Sequence, residues 1–178
     1  MNMLHNEIER KFLVKKMPLL FFIKKTSQER YFIQYGDLVE EGYKRTGSKY
    51  EYEIKTFVSP EERTREKRDV TKEEFEAQKE NGSKIIERDC FYLTKKSPII
   101  SIKKYKGLYN GLNLAEVEFD STEERENFVP PSWMGVEVTD TPLGKDSTLI
   151  SLDEDHFLKI LNDMRELTNF DPNEEGVL

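Results

Sequence analysis

Residues 7–14 read Glu7-Ile8-Glu9-Arg10-Lys11-Phe12-Leu13-Val14. On an extended strand, side chains two residues apart point to one face. Glu7, Glu9 and Lys11 then share one surface, and Ile8, Arg10 and Phe12 share the other. A charged strand face is ordinarily a solvated one. This one runs straight into Phe12-Leu13-Val14, an apolar setting that suggests carboxylates pointing into a wet interior. Glu116-Val117-Glu118 repeats the spacing between Ala115 and Phe119, and Glu137 sits between Val136 and Val138.

Carboxylates gathered in a cavity repel one another and take up protons unless a cation compensates them. Their oxygens are hard ligands suited to Mg²⁺ or Mn²⁺, ions that also bind phosphate oxygens. Basic residues recur on other segments at matching alternations: Lys44 and Arg45, Lys55, Arg63 with Arg65 and Lys67, Arg88, and Lys103 and Lys104. Acidic strands facing basic ones make a cavity for a metal ion together with an oligophosphate, whose oxygens guanidinium and ammonium groups bind.

Around these stretches most of the chain has strand character. Residues 6–14, 30–35, 41–45, 50–57, 84–93, 99–105, 113–120 and 135–139 read as strands, with a hairpin turn at Thr46-Gly47-Ser48-Lys49. Capping boxes at Thr71/Glu74, Ser121/Glu124 and Ser151/Glu154 open three helices. In the third, Phe157, Leu158, Leu161 and Met164 fall on one apolar face. Many strands with few local helices predict an antiparallel, mainly β, α+β domain over residues 1–168, with a frayed tail at 169–178. Periodicity alone leaves barrel and sandwich open.

Composition narrows the function classes. The 178 residues include one cysteine, Cys90, which excludes an internal disulfide and a Cys-rich zinc site. No apolar run approaches the ~18 residues of a membrane span, and the N-terminus carries no signal-peptide pattern, so a cytoplasmic protein with no membrane partner is expected. The net charge of −7 hides a split: residues 1–110 carry +6 and residues 111–178 carry −13. Small anions can bind such a chain if its cations converge, whereas duplex nucleic acid needs a broad basic face that is absent here. His5 and His156 are too isolated for a histidine metal site, and the chain lacks a glycine-rich phosphate loop.

The stretch EIERKFLV resembles the opening of the CYTH family of triphosphate tunnel metalloenzymes, whose ExExK signature matches Glu7, Glu9 and Lys11. The resemblance continues in order through Gly111-Leu112, Leu114 to Phe119, Pro131 to Gly135 and Glu137-Val138-Thr139. It implies an eight-stranded antiparallel β-barrel tunnel with a few peripheral helices. It also implies metal ligation by Glu7, Glu9, Glu116 and Glu118, and phosphate binding by Lys11, Arg45, Lys55, Arg65 and Arg88. Glu137 matches a family glutamate, and with Lys11 and Glu118 it completes the expected catalytic set. The chain departs from the family at Tyr43, Lys67, Cys90 and Lys103, where relatives carry arginine, glutamate, a cation and aspartate, and Glu51 and Glu53 add negative charge.

The leading expectation is a Mg²⁺- or Mn²⁺-dependent hydrolase of tripolyphosphate, ATP or thiamine triphosphate. A class IV type adenylate cyclase making cyclic AMP is the first alternative. A nucleotide- or polyphosphate-binding module without turnover is the second. The sequence leaves the oligomeric state open.

Overall fold

The computed structural model describes residues 3–4, 7–19, 21–57 and 63–168. The strands are β1 (Met3–Leu4), β2 (Ile8–Val14), β3 (Lys24–Tyr35), β4 (Val39–Thr46), β5 (Lys49–Phe57) and β6 (Arg63–Asp69). They continue as β7 (Ile86–Tyr92), β8 (Ile99–Tyr105), β9 (Asn113–Phe119) and β10 (Met134–Glu137). The helices are α1 (Lys72–Gln78), α2 (Thr122–Asn127), α3 (Asp146–Leu149) and α4 (Glu154–Leu167). None is long and apolar enough to cross a membrane. The expected frayed tail and His5 lie outside the described residues.

All ten strands join one antiparallel sheet in the order β1-β6-β5-β4-β3-β7-β8-β9-β2-β10. This corrects the expected eight-stranded closed barrel, because among the described residues the hydrogen-bonded order has two ends and no ladder joins β6 to β2. The ends are nevertheless brought together by the chain itself. β1 ends at Leu4 on the edge of β6, and β2 begins at Ile8 on the edge of β9. One N-terminal run thus bonds to both sides, and Glu7 between the two ladders forms ion pairs with Lys55 and Arg65.

The sequence reading misses β6 because Arg63 to Asp69 contains no apolar residue, and it shortens β3 because Lys24 to Glu29 is wholly polar. Both stretches pair through their backbones while polar side chains face inward, so hydropathy carries no signal there. The third helix also starts later than expected. Its cap is Asp153, which accepts from the His156 amide at 2.8 Å, rather than Ser151. Leu158 is 42% exposed, so the buried face of α4 is carried by Phe157 and Leu161. The other two caps are as expected, with Thr71 and Ser121 each accepting from the amide three residues on, at 3.1 Å. Thr71→Ala is expected to lower stability by about 1 kcal/mol, read as a shift in the urea midpoint with an unchanged slope.

Two apolar clusters cover the sheet from outside. Phe12, Val14, Ile102, Ala115 and Val117 form one, with Phe128 and Trp133 against it. Tyr31, Tyr43 and Phe75 form the other, the last from α1. A third cluster lies on the inner face at one end, where Leu13, Phe32, Ile86, Leu112 and Leu114 meet Leu149, Phe157 and Leu161. α3 and α4 therefore seal that end of the interior with an apolar floor. The charged stretch lies above it.

Candidate functional site

Strand register decides which side chains meet. Across β2 and β9, Lys11 lies opposite Glu116, and Glu9 lies opposite Glu118. Across β5 and β6, Lys55 lies opposite Arg65 and Glu53 opposite Lys67. Arg30 is opposite Lys44 between β3 and β4, and Gln28 is opposite Arg88 between β3 and β7. These positions share the inner face and line a cavity of about 1030 Å³. Its lining contains nine Lys or Arg and ten Asp or Glu residues, so the wall is nearly neutral.

The sequence-predicted Glu7, Glu9, Lys11, Lys55, Arg65, Arg88, Glu116 and Glu118 all lie on this lining. Arg45 and Glu137 do not. In β4 the inward residues are Glu40, Gly42 and Lys44, so Arg45 points outward, where its guanidinium donates to Ser27 Oγ and the Gly47 carbonyl, each at 3.0 Å. Tyr43 shares that outer face with Tyr31 and Phe75, so Lys44 is the cation that β4 gives the cavity. Glu137 pairs opposite Phe12 after an irregularity in the β2–β10 ladder, and so joins the outer face. There it accepts from Arg10 Nε at 3.0 Å and Nη2 at 2.7 Å. A one-residue change of parity moves a side chain to the other face, which accounts for both corrections.

Three ion-pair groups organise the lining. Glu116, 6% exposed, receives Lys103 Nζ at 2.5 Å and lies 3.5 Å from Lys11 Nζ. Burial alone would raise its carboxyl, but the two ammonium groups hold it well below the usual carboxylate range. Lys11 also reaches Glu9 at 3.1 Å and donates to the Gly144 carbonyl at 2.9 Å.

The second group surrounds Glu53, which is 4% exposed. Burial opposes its charge, yet Lys55, Arg30, Lys44 and Arg65 pull its carboxyl down to about 2. Burial, with Arg30 adding repulsion for Lys55 and Lys67 for Lys44, lowers both lysines to about 8. Among the described residues, Lys44 is the one lining cation with no carboxylate within ion-pair range.

Asp146 centres the third group, and no periodicity in the sequence marks it. It receives Arg88 Nη1 at 2.8 Å, Arg88 Nη2 at 3.1 Å and Arg30 Nη1 at 2.9 Å. Arg88 also donates to Tyr105 Oη at 2.7 Å and to Gln28 Oε1 at 2.6 Å. Arg30 is another residue the sequence reading leaves out. It shares inward parity with Gln28 and Phe32, a signal available in the sequence.

Glu118 stands apart. It opens onto the cavity, makes no ion pair among the described residues, and faces the like charge of Glu9. Burial by surrounding protein, with Glu116, Glu9 and Glu7 adding repulsion, pushes its carboxyl up. Like charges directly opposite on paired strands are destabilising unless something compensates them. Oxygen donors left short of positive charge fit a hard divalent cation. Among the described residues, no three acidic, His or Cys side chains are gathered closely enough to cage an ion.

Neither a family model nor a curated protein matches the chain. Solved structures do. The inorganic triphosphatase NE1496 is 24% identical, with a TM-score of 0.65 over 83% of this chain and 95% of its own. A candidate adenylate cyclase from Bacillus halodurans is 12% identical, with a TM-score of 0.50 over 72% and 94%. The PH1012 protein from Pyrococcus horikoshii is 10% identical, with a TM-score of 0.50 over 94% and 93%. The chain thus carries the CYTH-type fold, shared with an inorganic triphosphatase and a candidate adenylate cyclase.

Proposed function

We propose that the chain is a divalent-metal-dependent hydrolase of a triphosphate bound in the charged cavity. The observation that carries this reading is the placement of Glu9 and Glu118 on one wall, with Arg30, Lys44, Lys55 and Arg65 lining the same space. It is supported by a fold shared with an inorganic triphosphatase. Glu118, with Glu9 opposite it, would hold Mg²⁺ or Mn²⁺. Such an ion neutralises phosphate oxygens and lowers the pKa of a bound water.

The chain's own groups supply the rest. Lys44 is free to meet an incoming phosphate, while Arg30, Arg65 and Lys55 must exchange a carboxylate for a phosphate oxygen. That exchange keeps each cation paired throughout, so substrate replaces one set of charge-assisted bonds by another. Held by several strands at once, the oligophosphate is oriented for in-line attack. The apolar floor excludes water from the far end, and Glu118 is the carboxylate placed to orient the attacking water.

Binding without turnover is the second reading, favoured by the near-neutral wall and its internally paired cations. One screen separates the readings: tripolyphosphate, ATP and thiamine triphosphate with Mg²⁺ and with Mn²⁺, following phosphate release and nucleotide products. Phosphate release supports the hydrolase, cyclic AMP with pyrophosphate a cyclase, and calorimetric binding without products the binder.

The Lys44 ammonium gives a pH test. Because its charge is lost near pH 8, tripolyphosphate affinity is expected to fall between pH 7 and pH 9. Lys44→Arg, which stays charged, should make that fall shallower, leaving the part that Lys55, lowered to the same range, contributes. Calorimetric titrations at both pH values check it, and an equally steep fall in the variant removes Lys44 from the binding set.

A further inference from the structure

The four carboxylates expected to hold metal do not stand alike. Glu7 is neutralised from β5 and β6 by Lys55 and Arg65. Glu116 has a lysine from each neighbouring strand: Lys11 lies directly opposite on β2, and Lys103 reaches it from β8. Glu118 is flanked by Glu9 on β2 and by Ile99 on β8, and neither brings positive charge. Glu9 shares Lys11 with Glu116, at 3.1 Å, so among the described residues Glu118 is the carboxylate of the four that protein cations leave open.

We infer that Lys103 is a resident counter-cation that takes the place of a divalent ion at Glu116, so the wall accepts an ion at Glu118, with Glu9 opposite it, and not at Glu116. Its ammonium lies 2.5 Å from Glu116 Oε2, with the side chain 16% exposed and the carboxylate 8% exposed. An ion entering there must displace a charge-assisted bond held in a largely dry place, and the liberated ammonium would repel it. No such barrier guards Glu118, whose oxygens face the cavity. The inference rests on the functional reading above only in taking the cavity as a divalent-ion site.

The test is Mn²⁺ binding to the full chain, followed by electron paramagnetic resonance and calorimetry without substrate. The wild type is expected to bind one Mn²⁺ per chain, and Lys103→Met to bind a second through the released Glu116. Lys104→Met, on the outward, exposed side of β8, should match the wild type. If Lys103→Met fails to fold, the converse variants still decide. Glu116→Gln should leave Mn²⁺ affinity unchanged, whereas Glu118→Gln should weaken it at least about tenfold, as ligand loss does. A folded Lys103→Met that titrates like the wild type overturns the inference. So does a Glu116→Gln as impaired as Glu118→Gln, or a wild type that binds no Mn²⁺. Failure of the hydrolase reading looks different: the same Mn²⁺ pattern with no phosphate released from any triphosphate.

Discussion

Replacing Glu118 by glutamine is expected to reduce metal-dependent phosphate release from tripolyphosphate by about 100-fold or more while raising thermal stability. Glu9→Gln should produce a comparable loss of turnover. The activity effect follows from removing charge that positions the ion and the attacking water, an interaction typically worth about 10²–10³ in rate. The stability effect has the opposite sign because the Glu118 carboxyl is raised in the folded chain. A carboxyl raised above its unfolded value favours the fold at low pH, and that contribution is lost as pH rises through the folded value. At neutral pH the ionised Glu118 therefore strains against Glu116, Glu9 and Glu7, and glutamine relieves it. Initial rates at saturating Mg²⁺, beside thermal midpoints without metal, check both halves. Turnover and midpoint falling together would mark Glu118 as a structural group and remove it from the proposed site. The divergence would also identify the repulsion as a feature retained for function, in line with the strain tolerated at active sites.

The acidic wall was legible because two-residue periodicity projects directly onto strand faces. Glu9 with Glu118 and Lys11 with Glu116 occupy matching registers, as the paired ExE patterns of β2 and β9 imply. The same rule fails at Arg45, where an adjacent lysine and arginine leave the parity of β4 undecided and the inner face takes Lys44 instead. It fails at Glu137 because the ladder between β2 and β10 shifts register, which no pattern in Gly135 to Thr139 foretells. Asp146 lies beyond the reach of periodicity. It comes from the four-residue α3 after a loop, and only the folding of that loop onto the sheet interior places its carboxylate between Arg88 and Arg30. The floor was partly visible in the apolar face of α4, but its position at one end of the interior depends on long-range docking. Two of the departures from the family pattern also gain a physical role in the structure. Tyr43 packs outside in the aromatic cluster, and Lys103 supplies charge to Glu116.

Asp146→Ala should be the most damaging single substitution to stability among the cavity residues. Arg88 is 5% exposed, and its guanidinium spends two hydrogen bonds on this one carboxylate. Removing one partner of a buried pair leaves the other charge uncompensated, a loss of about 3–5 kcal/mol, or roughly 10 °C in the thermal midpoint. Tyr105 and Gln28 remain as hydrogen-bond partners of Arg88 but carry no compensating charge. The pH dependence follows from the same pair. Burial opposes its charge, but Arg88 and Arg30 hold the Asp146 carboxyl well below its ordinary value. A depressed carboxyl contributes stability above its unfolded pKa, and the contribution is lost as pH falls through the folded value. The deficit of the alanine variant is therefore expected in full at neutral pH and to shrink in strong acid. Two further results separate an ion-pair role from simple loss of packing. The double variant Arg88→Met/Asp146→Leu, which removes both charges, should recover much of the loss. In Asp146→Ala, added tripolyphosphate should raise the midpoint more than in the wild type, because an anion then meets two guanidiniums that no longer have Asp146. A double variant as unstable as Asp146→Ala, with no added response to tripolyphosphate, would mean that the α3 loop contributes shape alone and that Asp146 does not hold the two arginines in charge balance.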